Sequence, residues 1–203
     1  MPPPYSAALL NSIGRTITQE RLTRYLGATK GDMPKALALY EANVQLSEAL
    51  YGLLHGLEVM VRNAAHHALT TSYGTAAWYD AAPLSLYWRD QLVKAKARPG
   101  AAGKPGKVIA EMTFGFWVDL FSKPNHNRLW MARNLRAAFP NTTLHRDVIH
   151  DRLTAIHLLR NRLSHHEPIL TSANGIYNGN IALPQLNECM EWVCIHGKSK
   201  PAA

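Results

Sequence analysis

The run Arg160-Asn161-Arg162-Leu163-Ser164-His165-His166-Glu167-Pro168 gathers two guanidinium groups, an amide and two imidazoles in one short stretch. An imidazole can move a proton near neutral pH, and a fixed cation can stabilise the extra charge of a phosphorane. With the 2′-hydroxyl of RNA as the attacking group, such a set cleaves RNA without a metal and leaves a 2′,3′-cyclic phosphate and a 5′-hydroxyl. Asn161 and His165 are one helical turn apart, so the amide can orient the imidazole. Arg160 and His165 are five apart and diverge by about 140° around a regular helix. Both can reach one phosphate only if the helix bends or ends near Ser164. Pro168 favours an end, because it disfavours helical geometry at Glu167. The same residues also fit a plain helix C-terminus with cations near its dipole.

The segment that carries this run has apolar residues at Ile149, Leu153, Ile156 and Leu163, and heptad spacing puts Arg160 in line with them. An unpaired buried cation is costly, so Arg160 there calls for a carboxylate or an anion-filled crevice. Periodicity predicts this helix over 143–163 and others over 18–26, 34–73, 108–112, 116–121 and 128–139, with one more after Pro83 that ends before Pro99. In the long second helix the expected apolar stripe is Leu46, Leu50, Leu53, Leu57, Met60, Ala64 and Ala68, and Gly74 is its stop. No period-2 pattern is sustained anywhere. The fold class is therefore all-α, a helical bundle of roughly six to eight helices.

The 203 residues fit one domain, and 47% hydrophobic against 18% charged residues excludes a disordered chain. Neither a secretory signal nor an apolar run of membrane-spanning length is present, so a cytoplasmic protein without membrane contact is expected. Cys189 and Cys194 have the spacing of neither a disulfide framework nor a zinc pair and read as reduced thiols. A net charge of +8 suits a polyanionic partner and equally a merely soluble surface. The basic, Gly- and Pro-rich stretch 94–107 reads as a mobile loop, either a solvated connector or an electrostatic arm.

Residues 159–167 resemble the Arg-x4-6-His signature of HEPN ribonucleases, in the Arg-Asn-x-x-x-His form with a second His that marks the Abi-like (abortive-infection) family of the AbiD/AbiF type. Two other blocks are similar to that family: 57–63 leading to Tyr73-Gly74 and Trp78-Tyr79, and 112–117 with Leu120-Phe121. The resemblance implies a HEPN-like helical bundle and RNA cleavage in phage defence or toxin–antitoxin systems. It also implies a homodimer with a composite cleft, and a non-coding RNA or protein antitoxin as a further partner. Arg160, Asn161 and His165 take the catalytic positions, with His166 as a secondary participant. The alternative within the family is a non-catalytic module that binds RNA or serves assembly. A HEPN partner of a nucleotidyltransferase would carry Tyr where this chain has Glu167, which argues against that variant.

Arg62-Asn63-Ala64-Ala65-His66-His67 repeats the Arg-Asn-x-x-x-His spacing inside the long helix. Its polar face of Tyr51, His55, Glu58, Arg62 and His66 is either a solvated surface with a Glu58–Arg62 pair or a wall of the cleft. In the second case Glu58, Arg62, Asn63 and His67 contact RNA. Phe114, Phe116, Trp117 and Phe121 can stack on bases but at helical spacing more often fill a core. His126, His145, His150 and His157 lack metal-ligand spacing, so neither a metal nor another cofactor is expected.

Overall fold

The structure is a computed structural model that describes residues 6, 12, 17–172, 175, 176 and 188–192. Over these residues the protein is all-α. The helices are α1 (Gln19–Ala28), α2 (Met33–Tyr73), α3 (Leu86–Lys96), α4 (Pro105–Ala110), α5 (Phe114–Asp119), α6 (His126–Leu129), α7 (Ala132–Ala138) and α8 (Arg146–Ser164). Short 3₁₀ turns cover Trp78–Asp80 and Lys123–Asn125, and residues 188–192 are helical. The extended backbone among the described residues is one antiparallel pair, β1 (Leu170–Ser172) with β2 (Gly175–Ile176), which the sequence pattern did not announce.

Two compact units share the chain: residues 1–53 with 158–181, and residues 54–157 with 182–203. In the first, α1 buries Leu22 and Tyr25 against Ala36 and Leu37 of α2. Burial pushes the Tyr25 phenol up to about 12, with Tyr40 adding to the effect. The chain turns between these helices through left-handed Lys30 and Gly31, and Asp32 then opens α2 by accepting the Lys35 N–H at 3.1 Å. Asn43 is buried, and its Oδ1 accepts the backbone N–H of Ile169 at 2.8 Å.

The second unit is built on aromatic side chains. Phe114, Phe116, Trp117 and Phe121 are buried, so they are core and offer no face to a base. Phe121 stacks on Trp130, whose indole N–H donates to the Leu120 carbonyl. Drawing Trp130 inward breaks the helix expected over 128–139 into α6 and α7, with exposed Met131 between them. Gly115 leaves the space that the ring of His157 occupies, since a Cβ there would lie 3.0 Å from its Cε1. Burial pushes the Cys189 thiol up to about 12 and keeps it protonated; Cys194 lies outside the described residues.

Two expectations change at this level. In α2 the buried line runs through Leu50, Leu54, Leu57, Val61, Ala65 and Ala68, while Leu46, Leu53, Met60 and Ala64 are half-buried. The stretch 94–107 is helical at both ends. Between them, residues 97–104 form successive turns around buried Ala101, allowed by the left-handed Gly100 and Gly103. Lys94, Lys96 and Arg98 pair with Asp90, Asp80 and Glu111. Much of the charge of the supposed arm is thus engaged locally.

His66 is not a solvated residue of a polar face. Its Nδ1 accepts the Trp78 indole N–H at 3.0 Å, and burial, then the charges of His67 and Arg62, hold its imidazole below the usual value. The unfolded chain therefore binds this proton more readily. The stability His66 contributes is present above about pH 6.5 and is lost as the pH falls through the lowered folded value. Melting temperature is expected to drop between about pH 7.5 and about pH 5. A His66→Gln variant, which accepts the same hydrogen bond without titrating, is expected to flatten that slope in circular-dichroism melts. An equal slope in both proteins would rule His66 out as its source.

Candidate functional site

Helix α8 ends at Ser164. The His165 N–H still closes a helical bond to the Asn161 carbonyl at 3.0 Å. The His166 N–H then donates to Leu163 at 3.0 Å and the Glu167 N–H to Arg162 at 2.8 Å. This pair of bonds is the Schellman arrangement, whose left-handed position is usually glycine and here is His166, at φ 54°. The Arg162 guanidinium pins the outgoing strand by donating to the Pro168 carbonyl at 2.8 Å, with Glu167 3.7 Å away. Glu167 therefore pairs with a neighbouring arginine.

The break comes one residue later than the chemistry anticipated. His165 keeps its helical bond, so it remains about 140° around the axis from Arg160. His166 is the first residue the turn re-aims. Nor does Arg160 replace a core leucine. The buried line of α8 runs Ile149, Leu153, Ile156, Leu159, Leu163, and Arg160 is half-buried beside it. The heptad assumption missed the two consecutive three-residue steps that bring Leu159 into the core. His165 and His166 are both exposed.

Because a β-carbon is strained at positive φ, His166→Gly is expected to raise stability by about 1 kcal/mol. The urea midpoint should move up at unchanged slope. A midpoint that falls would show that the imidazole holds the turn together.

A cleft of about 660 Å³ opens in the first unit. Its walls are Arg21 from α1, one face of α2 with Tyr40, Asn43, Ser47, Glu48 and Tyr51, and Leu163, Ser164 and His166 from the end of α8. The imidazole at this cleft is thus His166 rather than His165. Arg21, Tyr40, Asn43, Ser47 and Glu48 were not singled out in the sequence. Their only signal is a band of hydroxyl, amide and carboxylate groups at three- and four-residue steps along α2, without a motif. Its size suits a nucleotide-sized ligand.

No protein-family model, curated protein or solved structure matches this chain.

The other predicted residues lie in the second unit. Arg62 donates from Nε to Asn63 Oδ1 at 3.2 Å, Asn63 and His67 are exposed, and Glu58 is half-buried. Helix α2 runs unbroken past all of them to Tyr73. The Arg62 run therefore lacks the helix end that follows the Arg160 run. Among the described residues, no three or more His, Cys, Asp or Glu side chains are grouped as a metal site requires, and no helix is long and apolar enough to cross a membrane.

Proposed function

We propose that the protein is an endoribonuclease of the Abi-like HEPN type that cleaves RNA without a metal. The attacking 2′-hydroxyl loses its proton to an imidazole, the phosphorane charge is held by a guanidinium, and the 5′-oxygen leaves protonated. His165 is the proton carrier, Arg160 the cation and Asn161 the amide that orients the imidazole from one helical turn away. The observation that carries this reading is the end of α8, where the Arg-Asn-x-x-x-His run stops and leaves both imidazoles exposed. The spare positive charge of +8 suits a polyanion.

The helical bond that His165 retains gives a reason for two chains. Within one α8 the backbone positions of Arg160 and His165 lie about 140° apart around the axis, which favours a phosphate held between two copies related by a twofold axis. The functional form is accordingly a homodimer. Its cellular setting is phage defence or a toxin–antitoxin pair, with a non-coding RNA or protein antitoxin holding it in check. Its site of action is the cytoplasm.

The test uses purified protein with end-labelled RNA in excess EDTA, after the A260/A280 ratio has shown whether an inhibitory RNA co-purifies. Cleavage is expected to yield 2′,3′-cyclic phosphate ends. RNA that is bound yet left intact would replace this reading with a non-catalytic HEPN binding module, and RNA neither bound nor cut would remove both.

A further inference from the structure

We infer that the cleft of the first unit is a base-recognition site that selects guanine, with Glu48 as the discriminating group and Tyr51 as the stacking surface. This rests on the ribonuclease reading for its biological sense, though not for its geometry. The inference begins with the hydrogen-bonding character of the α2 wall. The Ser47 hydroxyl donates its one hydrogen to the Asn43 carbonyl at 2.7 Å, so toward the cleft Ser47 can only accept. Glu48, exposed beside it, is an acceptor at both oxygens when ionised. The adjacent acceptors of Ser47 and Glu48 select, at that point of the wall, a ligand edge that donates.

Among the four bases, guanine presents two adjacent donors on its Watson–Crick edge, N1–H and the N2 amino group, and can meet a carboxylate with two parallel bonds. Adenine, cytosine and uracil each place an acceptor beside their donor, which a carboxylate repels. Single-stranded RNA is read in this way, by splayed bases stacked on aromatic rings and bonded along that edge. Tyr51 is 59% exposed on the same wall and stands one helical turn from Ser47, where its ring is free to stack on a base. Arg21, exposed on α1, supplies a cation for a phosphate. His166 lies at the α8 end of the cleft in a strained left-handed conformation. A base held here is therefore adjacent to the run that ends in His165, at a nucleotide neighbouring the scissile phosphate.

Isothermal titration of the full-length protein with the four nucleoside 3′-monophosphates tests this without relying on cleavage. Wild type is expected to bind the guanine nucleotide at least about tenfold more tightly than the other three, the discrimination that one good bidentate pair supplies. Glu48→Gln should erase that preference, and Tyr51→Ala should weaken all nucleotides about tenfold. Both residues are exposed, and circular dichroism will show that the variants fold. Equal affinity for all four, no binding by any, or a guanine preference that survives Glu48→Gln would overturn the inference. The two readings separate cleanly. Guanine-selective binding without RNA cleavage leaves this site standing and removes the ribonuclease, whereas cleavage with no base preference in either assay does the reverse.

Discussion

Replacing His165 with Ala is expected to lower RNA cleavage by about 10²- to 10⁴-fold, the range that a general acid–base group contributes. Arg160→Ala should cost about 10²- to 10³-fold, because the phosphorane loses its cation. His165 is exposed and Arg160 half-buried, with no core position vacated, so thermal melts of both variants should stay close to wild type. EDTA should change none of these rates. The His166→Ala variant should lose less activity than either, since His166 lines the cleft and the proposed proton carrier is His165. The decisive version mixes the two inactive variants. If Arg160 of one chain works with His165 of the other, random exchange restores one intact site in each heterodimer, about a quarter of wild-type activity. Complete inactivity of the mixture, with dimer exchange verified, would place both residues in one chain's site and defeat the composite cleft.

The second large effect concerns folding. Asn43→Ala removes the side-chain acceptor of a buried backbone N–H, that of Ile169, and leaves it without that bond in an apolar setting. The loss expected is about 1–3 kcal/mol, read from urea unfolding at constant slope. Ile169 follows the His turn directly, and Asn43 also lines the cleft, so nucleotide affinity should decline along with stability. A loss below about 0.5 kcal/mol, the scale of an ordinary surface substitution, would mean that water replaces the amide.

Local pattern made much of this molecule legible. The starts and stops of α1, α2 and α8 fell within a few residues of their expected places, because Asp32, Gly74 and Pro168 mark chain turns by their own conformational preferences. Helix facing was less secure. Arg160 seemed to occupy a core slot because a strict seven-residue repeat overlooks Leu159, and in α2 the buried line shifted to Leu54, Val61 and Ala65. Helix 128–139 split because burying Trp130 outweighs helical continuity, a tertiary effect with no local sign. Nor could periodicity reveal that the His66 ring accepts a bond from Trp78, twelve residues on. The cleft was invisible for the most basic reason. Its walls come from Arg21, the first half of α2 and residues beyond 162, which nothing in the sequence connects.

That separation has a consequence in time. The first unit takes its two parts from residues 1–53 and 158–181, and the Asn43–Ile169 bond spans 126 positions. Contacts so distant along the chain form late, after the entropy of a long loop has been overcome. On the ribosome, α1 and α2 emerge long before the turn that completes their cleft. A nascent or prematurely terminated chain that has not reached residue 160 therefore carries neither the Arg160 run nor a finished binding surface, and the RNA cleavage proposed for the protein is withheld from the machinery translating it until both have been made.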